Sequence, residues 1–247
     1  MKKYFNVFLA AVLSIGVVLS PIASAKEGQP YITSKDFDLS KFLAPPPAID
    51  SLKMKEELAE VLGLQVTRTT DMAARAQADA VENIWRFTEV IGADFTLEKL
   101  PKLNALFIRV LASEGPITDP AKEFWRQPRP HQYSDLVKPV VNRSKSFSYP
   151  SGHATAGTLM AVLLANMLPE KKTEIMQRGV EYANNRLIAG IHFRSDIEAG
   201  KIAGALIAAN LMSRADFTAD FAIARSELRN VLGLPATPTA IVARTEK

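Results

Sequence analysis

Two histidines and one aspartate set the chemical question. His192 and Asp196 are four residues apart, so a carboxylate can accept the proton on one ring nitrogen and leave the other as a lone pair, the arrangement that orients a histidine for attack. His153 follows Pro150-Ser151-Gly152, where proline stops any earlier helix, serine is a favoured cap, and glycine admits a ligand close to the backbone. The free amides of such a helix start make an anion site, and a histidine in that turn can hand a proton to a leaving oxygen. Lys122, Arg129 and Arg186 add three cations. Together the residues suit one phosphoryl group, whose transfer depends mainly on positioning and charge stabilisation.

Each segment also has a plainer reading. Ser151 can simply cap a helix that bears a surface histidine, His192 and Asp196 can be a surface ion pair worth little energetically, and Lys122, Arg126 and Arg129 can form a solvated basic face. Arg126 has no counterpart in the other segments and is read as surface. His131, beside Pro130, matches no catalytic position and is read as a rim residue.

The spacing points further. Lysine, six residues, Arg-Pro, then Pro-Ser-Gly-His, then arginine, five residues, histidine, three residues and aspartate resembles the three-part signature of the type 2 phosphatidic acid phosphatase superfamily. Its soluble, signal-bearing form resembles the class A bacterial non-specific acid phosphatases. Lys122, Arg129, Pro130, Pro150, Ser151, Gly152, His153, Arg186, His192 and Asp196 all stand in place. One departure is Asn185, where the family pattern usually has serine, and altered phosphate contacts are the expected effect.

The resemblance implies a metal-independent phosphatase with no cofactor, acting on small phosphate esters. His192 would be the nucleophile of a phosphohistidine intermediate, Asp196 its orienting carboxylate, and His153 the acid and then the base. Lys122, Arg129, Ser151, Gly152 and Arg186 would hold the phosphate. Three rivals remain. A vanadium-dependent haloperoxidase would hold vanadate in the same pocket, a lipid phosphatase would need spanning helices, and a non-catalytic phosphate-binding protein would need the cations alone.

The elements that must position these residues read as an all-α, single-domain helical bundle of the acid phosphatase and vanadium haloperoxidase type. Residues 1–25, with Lys2-Lys3, an apolar run and Ala23-Ser24-Ala25, read as a cleavable signal peptide and hence a periplasmic or extracellular protein without a stable membrane anchor. Removing them takes two lysines and no acids, so 30 basic and 26 acidic residues become 28 and 26, and no run of like charges suggests a nucleic-acid surface. The absence of cysteine excludes thiolate metal sites and cysteine nucleophiles.

Residues 26–50, with Pro45-Pro46-Pro47, are expected to form an extended arm that wraps the domain. The helical domain is placed at 51–233 and a loosely ordered tail at 234–247. Helices are expected from Asp50-Ser51 to Leu62, from Thr70 or Asp71 to Val90, over Pro101–Ala112, from Asp119-Pro120 onward, over Ser151–Leu168 and Lys172–Ile188, and last over Ser195–Ala215. Residues 127–150, with four prolines, read as an irregular loop. By analogy with soluble relatives a homodimer is expected, with the proline arm a candidate contact.

Overall fold

Ser51 ends the proline-rich stretch by accepting the Met54 amide on its hydroxyl at 3.1 Å, and the first helix, α1 (Leu52–Thr67), begins there. Thr69 does the same for α2 (Thr70–Ala78), accepting from Met72 at 3.2 Å. In the computed structural model, which describes residues 28–236, six more long helices follow. They are α3 (Pro101–Ala112), α4 (Glu114–Trp125), α5 (Gly152–Met167), α6 (Lys172–Ile188), α7 (Arg194–Met212) and α8 (Ala215–Val231). Single turns lie at Leu39–Lys41, Ile84–Phe87, Thr88–Ile91, Pro130–Tyr133 and Pro169–Lys171, and no strand occurs among the described residues.

The all-α expectation holds. α5 is the central helix, buried on nearly every side, and α6 and α7 pack along it. Its uniform hydrophobicity reflects burial in protein, and among the described residues no helix is long and apolar enough to cross a membrane. The seams are close because small residues meet. A Cβ on Gly179 would lie 2.5 Å from the Ala161 Cβ, and one on Gly200 would lie 2.5 Å from the Ser151 carbonyl. The second contact presses the start of α7 onto the start of α5, which brings two of the three sequence motifs together.

Several boundaries differ from those the sequence suggests. Gly63 lies inside α1, which runs on to Thr67. The second expected helix ends at Ala78, and residues 79–87 turn away to meet α6 before a further single turn at Thr88–Ile91. α4 begins at Glu114 rather than Asp119. Pro120 forgoes only its own donor to the carbonyl four residues back, while burial of Ile117, Thr118 and Ala121 carries the helix through it. The expected final helix ends at Met212 and a separate one, α8, follows. α8 buries Phe217, Phe221, Ala224 and Leu228, and Glu227 caps α3 by accepting the Lys102 and Leu103 amides at 2.9 Å.

The segment before α1 is bound by its side chains. Tyr31, Ile32, Leu39 and Leu43 are buried in the main core. The Tyr31 hydroxyl donates to Asp220 at 2.6 Å, and the Arg109 guanidinium lies 3.6 Å over the Tyr31 ring. At the other end the Arg229 side chain donates to the Pro235 carbonyl at 2.7 Å. The residues read as a signal peptide, and the tail beyond residue 236, lie outside the described residues.

Candidate active site

Arg126 adopts a left-handed conformation, φ 50°, at the end of α4. The chain reverses there, so Lys122 on the helix and Arg129 beyond it reach the same space although they are not on one continuous helix. The Arg126 side chain itself is exposed and turns back to the Glu123 carbonyl at 3.2 Å. Arg129 is buried and fixed by the loop that follows. Its Nε donates to the Ser146 carbonyl at 2.8 Å, its Nη2 to Ser146 Oγ at 3.1 Å, and its Nη1 to the Ile191 carbonyl at 3.0 Å.

A cavity of about 360 Å³ opens at this point. Its walls include Lys122, Arg129, Gly152, His153, Arg186 and His192, six of the eight residues singled out from sequence. Ser151 and Asp196 stand behind that wall. Ser151 caps α5, its hydroxyl accepting the Ala154 amide at 3.2 Å, and its own amide donates to the Asp196 carbonyl at 3.0 Å. Gly152 is required by space. A Cβ there would lie 2.6 Å from Glu114 Oε1 and 3.3 Å from Lys122 Nζ.

His192 sits in the loop before α7, with Asp196 in that helix's first turn. The Nδ1 of His192 is 3.2 Å from Asp196 Oδ2, which also accepts the Phe193 amide at 2.7 Å and the Ser148 hydroxyl. With Nδ1 donating to the carboxylate, Nε2 carries the lone pair, and Arg129 Nη1 lies 3.0 Å from it. Burial, then the charge of Arg129, hold the His192 ring well below its ordinary pKa, so it stays neutral in mild acid. Burial pushes the Asp196 carboxyl up to about 7, against the pull of its hydrogen bonds from Ser148 and Phe193.

His153 lies across the cavity, its ring parallel to that of Tyr182 with centroids 6.4 Å apart. Its Nδ1 is 2.9 Å from Glu82 Oε1 and its Nε2 is 3.0 Å from the Ala80 carbonyl. Arg186 is fully buried, donates to the Ala76 carbonyl, and leaves its Nε without a protein partner. Lys122 pairs with Asp119 at 3.1 Å.

Asn185 is turned away from this space. Its amide donates to Asp79 at 2.7 Å, so the contacts expected of it with phosphate are replaced by one with the scaffold. His131 is partly buried and does not line the cavity.

Three further residues join the site. Glu114 is buried in the wall next to Lys122, accepts the Thr118 hydroxyl at 2.6 Å, and is raised above its ordinary pKa by burial. Glu114, Thr118 and Lys122 recur every four residues, a stripe visible in the sequence once α4 is known to start at Glu114. Glu82 and Ser148 lie in irregular segments and carried no sequence signal.

Known proteins resemble this chain in sequence and in fold. A family model described as the PAP2 superfamily matches residues 103–218, the stretch that holds all three motifs. A non-specific acid phosphatase of Salmonella typhimurium is 30% identical over 93% of this chain and 94% of its own length. An acid phosphatase of Zymomonas mobilis is 29% identical over 96% and 94%. Among solved structures a bacterial vanadium-dependent iodoperoxidase superposes with a TM-score of 0.53 at 21% identity, over 69% of this chain and 51% of that one. That likeness is one of fold and spans about half of the peroxidase. A family model that spans the three motifs, together with acid phosphatases similar over nearly the whole length, makes this chain a member of the PAP2 superfamily, among its non-specific acid phosphatases.

Proposed function

We propose that this protein is an exported acid phosphatase that hydrolyses small phosphate monoesters through a phosphohistidine formed on His192. The observation that carries the reading is the orientation of that ring, with Nδ1 toward Asp196 and Nε2 toward Arg129 in the cavity wall. In this reading Lys122, Arg129 and Arg186 neutralise the non-bridging oxygens, helped by the amides of the α5 start that Ser151 caps.

The His192 Nε2 lone pair forms the bond to phosphorus. The electron pair of the breaking P–O bond goes to the leaving oxygen, which takes a proton from His153. In the second step water attacks phosphorus, gives a proton to His153, and the N–P electron pair returns to Nε2. Asp196 Oδ2 accepts from Nδ1 and so keeps that nitrogen protonated, and the ionised form of Asp196, which burial shifts toward neutral pH, stabilises the positive charge that develops on the ring. The lowered pKa of His192 favours the neutral nucleophile as pH falls.

The test is hydrolysis of p-nitrophenyl phosphate at mildly acidic pH in excess EDTA, with His192→Ala as the control. Turnover that survives the chelator and is lost in the variant supports the reading. Turnover lost to EDTA, or retained by the variant, refutes it.

A further inference from the structure

Both ring nitrogens of His153 are engaged by one short segment. Nε2 faces the main-chain carbonyl of Ala80 at 3.0 Å and Nδ1 faces the Glu82 carboxylate at 2.9 Å. Each neighbour can only accept, so the arrangement matches a ring that donates from both nitrogens. The carbonyl belongs to a backbone that is held in place, whereas the carboxylate ends a side chain that reaches into the cavity. The proton available to a leaving group is therefore the one on Nδ1, and Glu82 is what holds it.

The segment is anchored from below. Asp79 is fully buried, and its carboxylate accepts from Asn185 at 2.7 Å, from Arg86 at 2.9 Å and from Arg178, itself buried. Burial opposes the charge on Asp79, yet these donors hold it below its ordinary range. Ala80 and Glu82 thus project from a fixed point, and Asn185, the residue that departs from the motif, supplies part of the fixing. Glu82 is anionic for similar reasons. Burial works against it, but the His153 hydrogen bond and the charges of His153, Lys122 and Arg186 outweigh burial.

On the proposed phosphatase reading, we infer that Glu82 is a positioning and specificity residue: it holds the Nδ1 proton of His153 until a leaving oxygen takes it, and repels leaving groups that carry negative charge. In the cleavage step the leaving oxygen replaces the carboxylate as acceptor of the Nδ1 proton, and Glu82 neither gains nor loses a proton. An alcohol or phenol makes that exchange without penalty. A leaving group with its own carboxylate or phosphate approaches a fixed anion in a confined, partly desolvated space. The other charged and titratable groups that share the cavity with His153 are Arg186 on α6, Lys122 and Glu114 on α4, Arg129 beyond that helix and His192 before α7, while the Tyr182 ring on α6 stacks against His153. Among these Glu82 is the one whose carboxylate touches the ring.

The experiment compares phenyl phosphate with 4-carboxyphenyl phosphate. The ratio of kcat/KM for the two esters is measured for the parent protein, Glu82→Gln and Glu82→Asp, with the pH dependence of each. Taking the ratio within each protein cancels the intrinsic reactivities of the two esters. In Glu82→Gln the preference for the neutral leaving group falls by about fivefold or more, and the alkaline limb moves to lower pH because the carboxylate that holds the proton is gone. Glu82→Asp, which retains the charge, retains the preference. A merely structural role would slow both esters equally. An unchanged ratio in Glu82→Gln overturns the specificity role, and an unmoved limb overturns the hold on the proton. Failure of the parent protein to hydrolyse either ester would count against the phosphatase reading itself, whereas failure confined to the variants counts against Glu82.

Discussion

Arg129 Nη1 stands 3.0 Å from Nε2 of His192, the one ring nitrogen that Asp196 leaves unprotonated. A cation directed at the lone pair of a buried imidazole opposes its protonation, and the same N–H is then in place for an oxygen of any phosphoryl group that comes to that nitrogen. The loop 144–148 fixes the guanidinium through three further contacts, to the Ser146 carbonyl, Ser146 Oγ and the Phe147 carbonyl.

Arg129→Lys should therefore not be conservative. A point ammonium cannot keep the loop contacts and face His192 at once. We expect kcat/KM for p-nitrophenyl phosphate to fall by about 10²-fold, the cost of losing one fixed donor to developing charge. Steady-state kinetics checks this, and circular dichroism confirms that the helices persist. A loss under threefold would mean that the guanidinium geometry is not used.

Gly152→Ala tests the opposite wall. The added methyl would fall 2.6 Å from Glu114 Oε1, so a buried carboxylate and the neighbouring Lys122 must shift out of the space meant for phosphate. We expect KM and the inhibition constant of inorganic phosphate to rise together by at least about tenfold, with kcat less affected, because ground-state and transition-state binding are both weakened. Unchanged phosphate inhibition would show that the anion does not sit at the α5 start.

Ser148 donates to Asp196 Oδ2 and lies 3.3 Å from His192 Nδ1, behind the reacting face. Ser148→Ala removes a donor from a carboxylate whose other oxygen, Oδ1, has no protein partner. The ionised form of Asp196 becomes harder to maintain. We expect kcat to fall about tenfold, the scale of a supporting contact one step behind the reacting group, with KM nearly unchanged. A change in KM alone would place Ser148 on the substrate instead.

The motifs were legible in the sequence because their chemistry depends on residue identity at fixed spacing. α6 could be read off to the residue, since Ile175, Gly179, Tyr182 and Arg186 face inward at intervals of three or four between clear breaks. α8 carries an equally plain pattern at 217, 221, 224 and 228, although the sequence expectation ends the last helix at Ala215. Glu82 could not be found that way. Its place depends on Asp79 being drawn to Arg178 and Asn185 across 99 and 106 residues, which ends α2 early and turns the chain toward His153. No local pattern encodes such a contact. Ser148 is set in the same manner, by the backbone bond from its amide to the Gln127 carbonyl.

The pair behind the nucleophile also predicts a dependence of stability on pH. Asp196 is raised by burial from 3.8 to about 7 in the folded protein. It binds its proton more tightly folded than unfolded, so its contribution is complete below about pH 4 and is lost as pH rises through about 7. His192 is depressed, chiefly by burial, so its contribution is present above its ordinary 6.5 and lost as pH falls. Asp196→Asn deletes the first titration and leaves the second. The variant should gain on the parent as pH rises, its Tm difference from the parent becoming several degrees more favourable between about pH 4 and about pH 8. Turnover should nevertheless fall by about 10³-fold or more, because an amide can leave the imidazole in the wrong tautomer. Differential scanning fluorimetry across that range gives the Tm series. A difference that stays flat with pH would mean that Asp196 is ionised in the folded protein throughout, and that Phe193, Ser148 and Arg129 outweigh its burial.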